Sequence, residues 1–202
     1  MLKVGLTGSI AVGKSFVCEV LRELGAVVLD ADETAREVVK PNTIGLRKIV
    51  ENFGAEILQS NDELDRIKLG AVIFADDAKR QLLNSIVHPL VIEAQNNWLI
   101  RREQENPHGI AVIDAALMIE SEGYKRFTKL IVVWCESAIQ LKRLMLRNSL
   151  SETEALKRIN AQMSQDKKKR YADFLIDTSA GFEDTRQQTI KVFEQLRILS
   201  KR

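Results

Sequence analysis

Met1-Leu2-Lys3-Val4-Gly5-Leu6-Thr7-Gly8-Ser9-Ile10-Ala11-Val12-Gly13-Lys14-Ser15 opens the chain, and its reading decides the fold. Residues 2–7 are short and mostly apolar, as a buried strand requires. Residues 14–24 carry Val17, Val20, Leu21 and Leu24 at helical spacing, and Gly25 supplies a C-terminal stop. Between the two, Gly8 to Ser15 fits G-x-x-x-x-G-K-[ST] in full. Phosphate chemistry needs this spacing. Glycines let the backbone wrap around phosphate oxygens with its N–H groups pointing inward. The following helix aims its N-terminal partial positive charge at the same anion. Gly8, Ser9, Ile10, Ala11, Val12 and Gly13 would form the cradle, with Phe16 at its helical end. Lys14 would reach the β- and γ-phosphates of ATP, and Ser15 would hold the Mg²⁺ that bridges them. A chance match is the competing reading, and the position of the motif between a strand and a helix argues against it.

Outward from this loop the chain alternates strand and helix. Residues 26–29, 110–113, 130–134 and 174–176 read as further strands, and residues 138–147 and 183–199 as helices. The runs at 110–113 and 130–134 do not alternate with polar residues, which suits strands buried on both faces of a parallel sheet. The expected architecture is α/β: a P-loop NTPase three-layer αβα core around a five-stranded parallel sheet. Residues 33–107 hold no convincing buried strand but several helical patterns, at 67–74 and 77–102 among others. They read as a helical insertion after the second strand. Residues 149–171, polar and charged, read as a helical lid, which leaves 1–32, 108–148 and 172–202 as the nucleotide-binding core.

The 202 residues suffice for one α/β domain with an insertion. Hydrophobic residues make up 45% and charged residues 29%, so the chain is globular rather than disordered. A net charge of +2 lacks the basic excess of nucleic-acid or membrane-surface proteins, and neither partner is expected. Cys18 and Cys135 stand far apart, too few for a disulfide framework, and read as free thiols in a reducing cytoplasm. The motif begins at once, leaving no room for a signal peptide, and no apolar run approaches the roughly 20 residues that cross a bilayer. A cytoplasmic monomer or weak oligomer is the expectation.

Carboxylates at strand ends are the next candidates, because ligands of open parallel sheets bind beyond those ends. Asp32 is placed to accept the proton of a substrate hydroxyl or to orient it. Asp30 is placed nearer to a helix cap or the metal shell. Asp114 ends an apolar run, the pattern of an acid that assists Mg²⁺ through water, and Glu120 follows six residues on. Between Gln140 and Arg170 stand nine Lys or Arg against three acids. Arg143 and Arg147 are four apart on one helix face and would stabilise charge on the transferring phosphoryl group. Lys167 to Arg170 reads as a solvated basic face. His108 sits in a Pro-His-Gly turn and reads as inert. His88 precedes Pro89, which on pattern alone marks a structural histidine at a helix break.

Taken in order, Gly13-Lys14-Ser15, Leu29-Asp30-Ala31-Asp32 with Ala35-Arg36, Phe53-Gly54, Leu64-Asp65-Arg66, Val72-Ile73-Phe74, His88-Pro89, Gln140 with Arg143 and Arg147, Ala161-Gln162 and Ala172-Asp173 resemble the dephospho-coenzyme A kinase family along nearly the whole chain. The Asp-Ala-Asp, Leu-Asp-Arg and His-Pro elements make that resemblance specific. It implies transfer of the γ-phosphoryl of ATP to the ribose 3′-hydroxyl of dephospho-CoA. It also implies that residues 33–107 form the acceptor domain, that Asp32 is the base, that Arg66, His88 and Glu120 line the acceptor site beside it, and that Arg143 contacts ATP phosphates. The chain departs from the family pattern in three places. Ser9, Ala11 and Val12 stand where the loop is usually richer in Gly and Ser. Ala116-Leu117-Met118-Ile119-Glu120 replaces Pro-Leu-Leu-Phe-Glu. Asp177-Thr178 replaces Asp-Asn near the last strand.

Two other readings share the phosphate loop. A nucleoside or nucleoside monophosphate kinase would share core and lid, without the His-Pro and Leu-Asp-Arg elements. A nucleotide switch or ATPase module needs no acceptor insertion, and the Asn-Lys-x-Asp guanine motif of GTPases is not in the chain.

Overall fold

The computed structural model describes residues 1–201. In chain order the elements are β1 (Leu2–Thr7), α1 (Lys14–Glu23), β2 (Val27–Asp30), α2 (Ala31–Glu37), α3 (Ile44–Phe53), α4 (Arg66–Phe74), α5 (Asp77–Glu105), β3 (Ile110–Asp114), β4 (Lys129–Trp134), α6 (Ser137–Asn148), α7 (Glu152–Asn160), α8 (Gln165–Lys169), β5 (Phe174–Asp177) and α9 (Phe182–Ser200). The strands form one sheet in the order β2-β3-β1-β4-β5. Pairing of β1 with β3, β1 with β4 and β4 with β5 is parallel. The fold is the α/β P-loop architecture expected from the first fifteen residues.

Side chains alternate across the sheet, so the register decides which helices each strand meets. Leu2, Val4 and Leu6 of β1, Ile110 and Val112 of β3, Ile131 and Val133 of β4, and Ile176 of β5 share one cluster. Val17, Cys18 and Leu21 of α1 and Val192, Phe193 and Leu196 of α9 complete it. On the opposite face Ala111, Ile113, Leu130 and Val132 are also buried. Gly5 belongs to that face. A Cβ there would stand 2.6 Å from Met118 Sδ and 3.0 Å from Phe127, so the missing side chain lets the segment after β3 lie against the sheet.

The chain divides into two compact units: Met1–Leu29 together with the chain from Arg101 onward, and Asp30–Ile100. The second unit has its own core of Val39, Leu46, Ile49, Ile57, Leu64 and Leu69. Residues 149–171 group with the first unit.

One local expectation is corrected. The His88-Pro89 step does not break a helix: α5 runs on with Pro89 inside it. Proline removes one helical hydrogen bond and crowds the preceding turn, a defect of ~3 kcal/mol in an isolated helix. Here Leu83, Ile86 and Val87, in the turn before it, pack against the second unit's core. That burial offsets the loss, since tertiary packing overrides propensity.

Leu6 is fully buried at the centre of the sheet. Leu6→Ala is expected to lower unfolding stability by about 2–5 kcal/mol. Urea unfolding reads this directly, and a loss under ~1 kcal/mol would show that this strand is not the core.

Candidate active site

The phosphate loop folds as its spacing requires. Ala11 has φ 61° and Gly13 φ 89°, so the backbone turns through two left-handed residues and closes a concave ring of amides. Gly8 lies where a Cβ would meet Val133 O at 2.4 Å, which only glycine avoids. Gly13 is the N-cap of α1 and provides no side-chain cap. The first amides of that helix are therefore available to an anion.

Lys14 Nζ meets Asp114 Oδ1 at 2.5 Å, joining the loop to the C-terminal end of the adjacent strand β3. The Cys18 thiol donates to Asp114 Oδ2 at 3.4 Å. Burial first, and the Asp114 carboxylate second, push that thiol well above its ordinary range, so it stays protonated as a donor. Ser15, at the first turn of α1, is exposed. Phe16 stacks edge-on against Phe182, with ring centroids 4.9 Å apart.

Side chains from the α6–β5 half of the chain hold the loop from outside. Gln140 Nε2 donates to Ile10 O at 2.8 Å, and Ile10 N–H donates to Gln162 Oε1 at 2.8 Å. Arg143 Nη1 donates to Thr178 Oγ1 and Nη2 to Thr178 O, both at 2.8 Å. Thr178 Oγ1 in turn donates to Val12 O at 2.7 Å. The structure thus brings Arg143 to the loop through Thr178. Arg147, one turn on, is exposed and donates Nε to Asn148 Oδ1 at 2.9 Å. A cavity of about 650 Å³ lies alongside, with Ser9, Trp134, Gln140, Gln162 and Lys167 in its walls.

Glu120 is engaged rather than open. Its Oε1 accepts Met163 N–H at 3.1 Å and pairs with Lys168 Nζ at 2.9 Å. Lys168 Nζ also donates to Ala116 O at 2.6 Å, and Thr7 Oγ1 reaches the same carbonyl at 3.1 Å. This corrects the reading of residues 167–170 as one solvated face: Lys167 and Arg170 are exposed, Lys168 is fully buried, and Lys169 Nζ lies 3.8 Å over the Trp134 ring. Burial foremost pushes the Lys168 ammonium below its ordinary range, against the pull of Glu120. Sequence reasoning missed Lys168 and Gln165, and marked Thr178 only as a departure from the family pattern. Gln140 and Gln162 belonged to the recognised pattern but carried no assigned role.

In the second unit, Asp30 is the N-cap of α2, its Oδ1 accepting Asp32 N–H at 2.7 Å and Glu33 N–H at 3.1 Å. Of the two alternatives for Asp30, it is the cap that the structure displays. Asp32 is exposed in the first turn of α2, next to that capped end. Arg66 is the first residue of α4, behind the capping Asp65, and His88 lies on α5; both are exposed.

Comparison with known proteins covers the same span. The family model described as dephospho-CoA kinase matches residues 2–184. The chain is 43% identical over 203 residues to a protein of Geobacillus kaustophilus named dephospho-CoA kinase, covering 99% of each. It is 44% identical over 199 residues to one of the same name from Oceanobacillus iheyensis, covering 98% of each. A solved structure, dephospho-CoA kinase from Campylobacter jejuni, superposes with a TM-score of 0.74 at 28% identity, over 96% of both chains.

Lys168→Met removes the donor to Ala116 O and the partner of Glu120 and is expected to cost about 1–3 kcal/mol. Lys167→Met, at an exposed position, should stay within ~0.5 kcal/mol of the parent. Denaturant titration of the pair separates them, and equal stability would make Lys168 an ordinary surface lysine.

Proposed function

The chain belongs to the dephospho-CoA kinase family, and from that premise we propose that it transfers the γ-phosphoryl group of ATP to the ribose 3′-hydroxyl of dephospho-CoA, releasing CoA and ADP. The observation that carries this reading is the extent of the family match. It spans residues 2–184, across the phosphate loop and the helical unit alike. A nucleoside kinase would share the loop but not the acceptor elements.

The division of labour follows from the side chains. The amides from Gly8 to Phe16 cradle the phosphates, and Lys14 exchanges its Asp114 partner for β- and γ-oxygens. Asp32 takes the role of general base. Asp30 is spent on two backbone amides as the cap of α2, so the base role is assigned to Asp32 rather than to Asp30. Arg66 and His88 are the acceptor-binding groups on α4 and α5. Arg143 neutralises charge near the loop, Arg147 assists it, and Glu120 acts from the segment behind β3. Residues 149–171 serve as the lid, 33–107 as the acceptor domain, and the remainder as the nucleotide core. Closure over the phosphates would exclude water and suppress ATP hydrolysis.

Mg²⁺ fits the residues present. The exposed Ser15 hydroxyl and the Asp114 carboxylate are hard oxygen donors of the kind Mg²⁺ prefers. Among the described residues no group of three or more His, Cys, Asp or Glu forms a cage. The ion would therefore be held mainly by ATP phosphates and water, with Ser15 as ligand and Asp114 behind a water. When bound it would neutralise charge on the phosphate oxygens. ATP and dephospho-CoA are thus the small-molecule partners, and the cytoplasm, where the two free thiols Cys18 and Cys135 would stay reduced, is the assigned compartment.

Coupled ADP release with ATP and Mg²⁺ tests the reaction, comparing dephospho-CoA with adenosine, AMP and no acceptor. Turnover should depend on dephospho-CoA and yield a product with the mass of CoA; turnover only with adenosine or AMP would give the site to a nucleoside or nucleotide kinase. Asp32→Asn should lower kcat by about 10²–10⁴-fold with KM for ATP near the parent value. Parental kcat in that variant would remove Asp32 from the base role.

A further inference from the structure

A peptide group is planar and trans, so its C=O and its N–H point in opposite directions. All peptide bonds described here are trans. Fixing a carbonyl on one side of the phosphate loop therefore fixes where the next residue's N–H points. Two carbonyls of this loop are fixed from outside. Gln140 Nε2 holds Ile10 O, which turns the Ala11 N–H the other way. Thr178 Oγ1 holds Val12 O, which does the same for the Gly13 N–H. These two peptides flank the left-handed residues Ala11, whose conformation is strained and needs outside support, and Gly13, whose backbone is free to flip.

Both clamps are themselves oriented. Cys135 N–H donates to Gln165 Oε1 at 3.0 Å, which turns the Gln165 amide nitrogen to Gln140 Oε1 at 2.8 Å. The Gln140 NH₂ is thereby left facing Ile10 O. Only one amide orientation of each glutamine satisfies this series, because a backbone N–H fixes its far end. Thr178 is held in the same way: Arg143 fills the acceptor side of its hydroxyl, which leaves the hydroxyl hydrogen for Val12 O. Gln140 and Arg143 are three apart on α6, so one helix face acts on both carbonyls. Gln140 is 2% and Thr178 3% exposed, so water does not compete for these bonds.

We infer that Gln140 and Thr178 are positioning residues that preset the anion cradle by holding the Ile10 and Val12 carbonyls outward, so that the Ala11 and Gly13 amides face the phosphates. The inference rests on the phosphate-loop part of the proposed function and not on the identity of the acceptor. It gives Thr178, one of this chain's departures from the family pattern, a definite role: its hydroxyl accepts from Arg143 and donates to the loop at once. It also gives Arg143 a second action, through Thr178, besides its charge.

Calorimetric titration of ADP and of inorganic pyrophosphate onto the full-length protein, without acceptor, tests this. Thr178→Val keeps the shape of the side chain and removes the hydroxyl, and Thr178→Ser keeps the hydroxyl. Thr178→Val should weaken both ligands roughly 3- to 10-fold, the range that one net hydrogen bond supports. Thr178→Ser should remain within about 2-fold, a difference too small to count as a lost hydrogen bond. Gln140→Met should weaken both ligands like Thr178→Val, and it carries the test if Thr178→Val does not fold. Parental pyrophosphate affinity in a folded Thr178→Val or Gln140→Met variant would overturn the inference. So would a Thr178→Ser variant as weak as Thr178→Val, since packing rather than the hydroxyl would then be responsible. Pyrophosphate binding is read without a base and without an acceptor, so a failure here stays separate from a failure of the kinase assignment.

Discussion

A backbone that has to surround a polyphosphate must expose several N–H groups to one point and leave them without protein partners. Buried unsatisfied amides are costly, so such a loop survives only if the rest of the fold holds it open. Much of the first unit can be understood from this constraint. β1 delivers the chain to the middle of the sheet, between β3 and β4, where neighbours stand on both sides. Gly8 brings the turn against Val133 O, and α1 carries the chain away with its first amides uncapped. The interior of the ring stays free because the surroundings occupy its exterior.

Those surroundings form two connected polar networks. One runs from the Cys135 amide through Gln165 and Gln140 to Ile10, with Gln162 on the neighbouring amide. The other joins Met163 and Lys168 to Glu120, and Lys168 and Thr7 to the Ala116 carbonyl. Residues 162–168 belong to both. The same short stretch thus touches the phosphate loop and the segment that follows the Asp114 strand. A low local dielectric makes such networks stiff when every member is satisfied. Their stiffness lets a loop with two left-handed residues keep one shape.

The fold was largely legible in the sequence because its signals are local. A strand, a complete phosphate motif and a helix in one run of fifteen residues leave few architectures open, and uninterrupted apolar runs at Ile110 and Leu130 reveal doubly covered strands. Candidate site residues could be nominated where residue type and spacing coincide with chemistry, as at Lys14 and Ser15. It was not legible where function depends on who meets whom across the chain. Lys168 stands in a run of lysines on a helix of five residues, too short to display a periodicity, so nothing local marks it as buried. Thr178 acts through Val12, 166 residues away in sequence. Pro89 misled for the opposite reason: its local signal is strong, and packing of the turn before it overrides that signal.

The Lys14–Asp114 pair has a consequence for how a nucleotide enters. A flexible lysine side chain carries up to about 2 kcal/mol of rotamer entropy, which a phosphate would have to remove on capturing a wandering ammonium. Here the ammonium is already ordered on a carboxylate of the neighbouring strand. Under the proposed function, an incoming triphosphate would displace one anion from a stationary cation rather than recruit a mobile one. Part of the entropy of binding would then have been spent when the chain folds.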